Sequence, residues 1–368
     1  MFLLNFRRIV LYSKMQIKAL IFDMDGVIVD VKDSYRKCIV KTSKDYLKLA
    51  GIKASNINLE LTQKFKLVPG FNNDWDLTYG IILCCLTAFF SEMPSFSLKR
   101  VEELLNSCKK IESFENFEEK NFREEKAVIK QEISVLKELA SLSLKRDLSI
   151  NFDIILRKAK KSEKFLGIEK VESSLESLHP EAFKLAKKFL FKNLAKRMFQ
   201  EKYLGKELFE RKYKREVLFF SQPGLINNEK FLLNKKIFDI LSKNVVLGIV
   251  SGREKFEILY TLERLRLKNF FREEFIISSD EMKVSKPDPL PLIEVKQRIQ
   301  RKKGIDNGFV YVGDAIDDIL AAKKAGFIPV AVLFPFKGEE REKMKASFLE
   351  FGATKILSKP EDLLKLQF

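Results

Sequence analysis

Two carboxylates close to the start of the chain are the residues best suited to chemistry. The stretch ALIFDMDGVIVD (residues 19–30) follows an apolar run with Asp23 and Asp25, just before Gly26. Like charges this close stay ionised only when a cation holds them, and all-oxygen ligands with room for water suit Mg²⁺. Asp–Gly pairs also occur in ordinary turns, so this pair alone does not identify a site.

Polar residues also follow later apolar runs. VVLGIV runs into Ser251 and Gly252, where a hydroxyl and free backbone N–H groups can donate to an anion. FVYV runs into GDAIDD, which contains Asp314 and Asp318, and Lys286 stands in the proline-restricted loop SKPDP. Each piece has a plain reading as a loop or a helix cap, but open parallel sheets bind ligands beyond the carboxyl ends of their strands. The polar residues at these successive strand ends therefore predict one shared crevice.

Such a crevice is suited to phosphoryl transfer. Asp23 and Asp314 are the natural Mg²⁺ ligands, and Lys286 adds positive charge for the equatorial phosphoryl oxygens. One oxygen of Asp23 can then attack phosphorus in line to give an aspartyl-phosphate. Asp25 can protonate the leaving alkoxide and later take a proton from the attacking water.

Six short apolar runs predict the strands that position these residues. They are residues 17–22, 245–250, 274–278, 309–312, 328–333 and 354–357. From residue 245 onward they alternate with helical stretches, which indicates an α/β fold with a Rossmann-like parallel sheet covered on both faces.

Between the first and second of these runs the strand signal disappears, and amphipathic helical patterns replace it. We therefore expect an α/β core from residues 15–30 and 242–368, with a large all-helical cap domain, residues 31–241, inserted into it. Residues 1–14 lack the order of a secretion signal and predict a disordered or misannotated extension, with Met15 as an alternative start.

The motifs D-x-D-G, a strand-end Ser, K-P-x-P and GDxxxD resemble those of the haloacid dehalogenase superfamily in identity, order and position. The arrangement is most similar to the phosphoglycolate phosphatase and β-phosphoglucomutase subfamily. The resemblance implies that the Asp23 and Asp314 side chains and the Asp25 backbone carbonyl hold the metal. It also implies that Asp318 orients a metal-bound water or Lys286, and it agrees with the roles given above. The predicted cap is much larger than that of typical members, so the substrate specificity of phosphoglycolate phosphatase cannot be assigned to this chain.

The predicted function is a Mg²⁺-dependent phosphatase that hydrolyses a small organic phosphate monoester. A phosphomutase of the β-phosphoglucomutase type is the alternative, because the cap decides whether water or a second substrate hydroxyl attacks. We expect a cytoplasmic monomer or homodimer whose partner is a small phosphorylated metabolite.

Substrate selection is predicted in the cap, at the break GFNNDW and at a nearby arginine. Amide, carboxylate and indole groups suit a polyhydroxylated or charged leaving group, and an arginine can meet a second anionic group. The same residues could instead cap helices, pack between them or face solvent. The candidates are Arg36, Asn72, Asn73, Asp74 and Trp75.

Composition excludes several other classes. The only histidine, His179, precedes a proline at a predicted helix start, which excludes multi-histidine zinc sites. The four cysteines form no C-x-x-C pair and indicate buried, reduced thiols, and the run IILCCLTAFF is too short to cross a bilayer. The net charge of +17 permits a nucleic-acid partner. That class is less favoured, because lysines alternate with glutamates along helices and no compact basic block appears.

Overall fold

The structure is a computed structural model that describes residues 16–68, 71, 74–107, 122–142, 146–148, 150–161, 165–282 and 284–366. Asn72, Asn73 and the predicted extension, residues 1–14, lie outside the described residues. The chain forms two compact units. One is an α/β unit that runs up to Val31 and resumes at Glu229, and the other is a helical unit, Lys32–Asn228.

The strands are β1 Ala19–Phe22, β2 Val29–Asp30, β3 Ile52–Lys53, β4 Arg146–Asp147, β5 Lys230–Phe231, β6 Val246–Val250, β7 Ile276–Ile277, β8 Phe309–Gly313, β9 Ile328–Val332 and β10 Lys355–Leu357. Six of them form one sheet in the order β10-β9-β8-β1-β6-β7, and each neighbouring pair is parallel. The predicted parallel α/β sheet is therefore confirmed.

The α-helices are α1 Lys37–Leu49, α2 Leu59–Lys66, α3 Asp74–Ser91, α4 Ser95–Ser107, α5 Phe122–Leu142, α6 Phe152–Lys161, α7 Ile168–Leu178, α8 Pro180–Lys188, α9 Lys192–Tyr213, α10 Lys235–Leu241, α11 Lys255–Arg264, α12 Leu290–Lys303, α13 Ile316–Ala325 and α14 Gly338–Phe351. Short helical turns occur at Lys32–Arg36, Leu225–Asn228, Lys268–Phe270, Glu273–Phe275 and Pro360–Lys365. α8 begins at Pro180, immediately after His179, as the sequence predicts.

The sheet is apolar on both faces because helices cover it. All residues of β1, β8 and β9 are buried, which is why these strands are continuous apolar runs in the sequence. One core cluster includes Ile21 and Tyr311 from the sheet, Val295 from α12 and Ala322 from α13. This packing fixes the strand ends where the candidate site residues lie.

The division between the units differs from the predicted boundary at residues 241 and 242. The structure groups the segment from Glu229 onward with the sheet. Phe238 of α10 packs edge-on against Phe22 and Phe271, with ring centroids 5.8 and 5.5 Å apart. β5 also pairs antiparallel with β2, so the chain rejoins the α/β unit before α10. A two-residue strand gives too short a pattern to be recognised in the sequence.

The helical unit has its own core, centred on α3. The run from Leu77 to Leu86 in α3 is buried, and α3 packs against α8 and α1. The expectation of an all-helical insert needs one correction, since β3 and β4 form a two-stranded parallel pair there. No helix in the described part of the chain is long and apolar enough to cross a membrane. Cys38, Cys84 and Cys85 are free and buried.

A buried ion-pair network joins α5 to α9. The Arg197 guanidinium donates to Glu201 at 2.6 Å and to Glu125 at 2.9 Å. The Glu201 carboxylate also accepts the backbone N–H groups of Leu218, Phe219 and Phe220. The network therefore satisfies the backbone of the segment that leaves α9, where turns would otherwise bury unpaired groups.

A further buried acid in the helical unit makes its stability depend on pH. Glu132 on α5 is 4% exposed, its Oε2 has no hydrogen-bond partner among the described residues, and burial raises its pKa from 4.5 to about 8. Because the unfolded chain releases this proton first, stability should fall as pH rises from about 4.5 to about 8. Glu132→Gln should raise stability at pH 8 by roughly 1–3 kcal/mol and change it little at pH 4.5.

Thermal melts of both proteins across this pH range measure the effect. Glu138→Gln is the matched control, because Glu138 is exposed on the same helix. A stabilisation by Glu132→Gln that is the same at both pH values, or that Glu138→Gln reproduces, would contradict the assignment.

Candidate active site

The strand register brings three predicted site residues to one edge of the sheet. Phe22 at the end of β1 pairs with Ile249 of β6 and with Val312 of β8. Asp23 follows Phe22, while Ser251 and Asp314 each lie two residues beyond the paired positions. The Asp23 backbone N–H donates to the Val312 carbonyl at 2.9 Å, so pairing continues to the residue that carries the carboxylate.

Lys286 connects the carboxylates of this edge. Its Nζ lies 2.9 Å from Asp23 Oδ2 and 2.6 Å from Asp318 Oδ1, and it donates to the Tyr311 hydroxyl at 2.8 Å. Burial alone would lower the pKa of Lys286, but the charges of Asp23 and Asp318 raise it well above its usual value. The ammonium is therefore held charged in a buried position that faces the strand ends.

Asp318 combines a structural role with this contact. Its Oδ2 accepts the backbone N–H groups of Asp314 and Ala315, both at 3.0 Å, and so caps the start of α13. Its Oδ1 holds Lys286. One oxygen of this side chain therefore caps the helix and the other binds Lys286, and the role of Asp318 in a metal or phosphate site stays a prediction.

The acidic residues fit a divalent cation. Asp23, Asp314 and Asp318 offer carboxylate oxygens within 4.8 Å of one another. Burial raises the pKa of Asp23 to about 7 although Lys286 acts to lower it, so a further positive charge would favour the ionised form. Gly26 has φ +71°, and a Cβ at that position would overlap the Asp314 carboxylate. An all-oxygen set of this kind suits Mg²⁺ better than a metal that prefers nitrogen or sulfur.

Asp25 lies at the same edge and is held by an arginine. Arg253 Nε donates to Asp25 Oδ1 at 2.6 Å, and Nη2 lies 2.5 Å from the same oxygen. The Glu229 carboxylate binds the two terminal nitrogens of Arg253 at 2.8 and 3.1 Å. The Asp25 carboxylate is therefore oriented independently of Lys286.

Ser251 and Gly252 begin the loop after β6. Ser251 is 6% exposed, its backbone N–H donates to the Ile277 carbonyl, and its hydroxyl oxygen accepts the Arg253 backbone N–H at 3.3 Å. Gly252 is exposed. The phosphate-binding role of Ser251 and Gly252 stays a prediction.

Arg36 lies in the helical unit and is held by hydrogen bonds within that unit. Arg36 is 9% exposed and donates to the Thr62 hydroxyl at 2.9 Å and to the Leu59 carbonyl at 2.6 Å. These bonds favour an anchoring role, and its contact with a substrate anion stays a prediction.

Asp74 and Trp75 occupy the first turn of α3. Asp74 lies 3.5 Å from the Lys66 ammonium, and the Trp75 ring centroid lies 4.6 Å from that of Phe199. Asn72 and Asn73 lie outside the described residues, so the structure describes only part of the predicted specificity segment.

Three residues near the candidate site were not predicted from the sequence. Tyr311 looks like an apolar strand residue, yet its hydroxyl meets Lys286 and donates to the Val250 carbonyl at 3.0 Å. Arg253 follows Ser251 and Gly252 directly but carries no recognisable spacing. Glu229 is 24 positions from Arg253, so no local pattern links them. A polar atom inside a buried strand is the one signal that points to Tyr311.

Comparisons with known proteins agree with this arrangement. The family described as haloacid dehalogenase-like hydrolase matches residues 191–332. A phosphoglycolate phosphatase of Neisseria meningitidis is 32% identical over 96 residues, which are 26% of this chain and 38% of that protein. An imidazoleglycerol-phosphate dehydratase of Phytophthora nicotianae is 34% identical over 67 residues, 18% of this chain and 13% of that protein. The chain thus matches well under half the length of these relatives.

One solved structure shares the fold. An X-ray structure from a structural genomics consortium superposes with a TM-score of 0.61 at 17% identity, covering 95% of this chain and 98% of that one. The family match, over residues 191–332, agrees with the parallel sheet and with the carboxylates at its strand ends. Over these residues the chain is similar to the haloacid dehalogenase-like hydrolases.

The close approach of Gly26 to Asp314 yields a prediction about cation binding. Gly26→Ala would be strained at φ +71° and would displace the Asp314 carboxylate. We expect it to weaken Mg²⁺ binding by about 10-fold or more, because misplacing a ligand lowers metal affinity by such factors. Isothermal titration with Mg²⁺ measures this directly.

Gly304→Ala separates backbone strain from the clash. Gly304 also has a positive φ, +65°, but nothing lies within 4 Å of the added Cβ. This variant should lose stability by about 1 kcal/mol and bind Mg²⁺ as the wild type does. Equal affinity in the Gly26→Ala protein would show that Asp314 is not a ligand.

Proposed function

We propose that the protein is a Mg²⁺-dependent phosphatase that hydrolyses a small organic phosphate monoester through an aspartyl-phosphate on Asp23. The observation that carries this proposal is the contact of Lys286 with both Asp23 and Asp318. Carboxylate oxygens of Asp23, Asp314 and Asp318 also lie within 4.8 Å of one another. The match to a phosphoglycolate phosphatase supports the class of reaction but covers only part of either chain. The phosphomutase alternative receives no separate support.

The chain's own residues supply both halves of the reaction. An Asp23 oxygen attacks phosphorus while the bond from phosphorus to the ester oxygen breaks, and the proton of Asp25 passes to the departing alkoxide. Water then attacks the phosphoryl group, gives its proton to Asp25, and the bond from phosphorus to Asp23 breaks to release inorganic phosphate. Lys286 stays charged throughout and stabilises the equatorial oxygens, with Ser251 and the Gly252 N–H as further donors.

The cation is proposed to be held by Asp23 and Asp314, with the Asp25 backbone carbonyl and, through water, Asp318. When bound, Mg²⁺ would screen the negative charges of the nucleophile and the phosphoryl group from each other. We assign the helical unit the role of a cap that selects the leaving group, through Asn72, Asn73, Asp74 and Trp75, with Arg36 as a further candidate for an anionic substituent.

The nucleophile is tested by Asp23→Asn, which preserves shape and removes the attacking oxygen. Turnover of a phosphate monoester should fall by about 10³-fold or more with the fold intact. Released phosphate and circular dichroism measure the two quantities. Residual activity close to wild type would rule out the aspartyl-phosphate route.

Metal removal tests the cation. Excess EDTA should abolish phosphate release and Mg²⁺ should restore it, whereas Ca²⁺ should occupy the site and inhibit, since its larger and looser coordination shell lets Asp23 bind unproductively. A panel of phosphate monoesters assayed under these conditions also identifies the preferred leaving group. Full activity in excess chelator would contradict the proposal.

A further inference from the structure

We propose that Arg253, fixed by Glu229, is a positioning residue that holds the Asp25 carboxylate in place for proton transfer. This inference rests on the proposed function, in which Asp25 is the general acid and base. The Arg253 side chain contacts Asp25, Glu229 and Thr261, and in this proposal it acts on the reaction through Asp25.

The geometry of the contact leaves one oxygen of Asp25 for chemistry. Arg253 Nε and Nη2 both bind Oδ1, at 2.6 and 2.5 Å. The Asp25 side chain is 24% exposed, whereas that of Arg253 is 1% exposed. The buried guanidinium thus holds a partly exposed side chain through Oδ1, which leaves Oδ2 for proton transfer in the proposed reaction.

Arg253 is a rigid support because the core holds it on its other side. Glu229, whose side chain is fully buried, binds Nη1 and Nη2 at 3.1 and 2.8 Å. The Thr261 hydroxyl on α11 lies 3.2 Å from Nη1 and from Glu229 Oε2. A planar guanidinium can bind two carboxylates at fixed angles, which a lysine ammonium cannot do. The orientation of Asp25 is therefore set by a β5-flanking residue and by α11.

Proton transfer is sensitive to this orientation. A general acid must lie within hydrogen-bond reach of the leaving oxygen, and a small misplacement removes much of its contribution. Asp25 serves twice in the proposed reaction, since it gives a proton to the alkoxide and then takes one from water. Loss of Arg253 should therefore slow both proton transfers by Asp25. A leaving group that departs as a stable anion needs no proton, so the first step should not be slowed for such a substrate.

Arg253→Met tests this with two substrates. On an alkyl phosphate, turnover should fall by about 10- to 100-fold with little change in KM, within the range that acid–base groups contribute. On 4-nitrophenyl phosphate, rapid mixing should show a burst of about one nitrophenolate per active site followed by slow turnover. Arg253→Lys should fall between Arg253→Met and wild type. Equal losses on both substrates without a burst would overturn the inference.

A double-mutant cycle with Asp25→Asn separates positioning from general structural damage. If Arg253 acts through Asp25, then Arg253→Met should cost almost nothing further in the Asp25→Asn protein, because residues that act as a unit are not additive. Additive losses would show a structural role. Arg298→Met is the matched control, since the Arg298 guanidinium pairs with Glu294 at 2.7 Å and with Glu281 at 3.0 Å, and its described contacts include neither Asp25 nor Glu229. It should retain wild-type kinetics on both substrates.

A crystal structure of Arg253→Met gives a readout that does not depend on activity. The Asp25 side chain should occupy more than one rotamer there, and an unchanged single rotamer would contradict the inference. Failure of the proposed function has a different signature, because it would appear as phosphate release that survives Asp23→Asn.

Discussion

The arrangement of the α/β unit depends on one buried cation, Lys286, placed between Asp23 and Asp318. A charge in such a position is tolerated only when carboxylates surround it, and each carboxylate in turn needs the lysine and the backbone N–H groups that it binds. This mutual requirement fixes the loop after β7, the start of α13 and the end of β1 relative to one another. Removing any one partner would leave an uncompensated charge in the core.

Two buried cations, Lys286 and Arg253, each bind a different aspartate at the end of β1. Lys286 contacts Asp23, and Arg253 contacts Asp25 and the buried Glu229. Glu229 compensates the charge of the Arg253 guanidinium in the core, whereas Asp318 compensates that of Lys286. Two aspartates that are two residues apart therefore have different neighbours, which is the condition for giving equal side chains unequal roles.

The sequence predicts the sheet well because its strands are buried on both faces and therefore appear as apolar runs. All six predicted strands are present, although the run at residues 274–278 shortens to β7, Ile276–Ile277. The crevice residues were predictable because their positions follow from where strands end. Arg253–Glu229 and Lys286–Tyr311 were not, since each pair joins distant segments through side-chain geometry. β2 and β5 are two residues long and leave no periodic pattern.

The pairing of β2 with β5 has a consequence for how such a chain can change. The point at which it leaves the α/β unit and the point at which it returns are hydrogen-bonded neighbours, with Asp30 opposite Lys230. A short hairpin could join these two strands without altering any strand of the large sheet. The insert thus begins and ends at paired strands, and a change in its length between them does not require a change in the register of β1, β6 and β8.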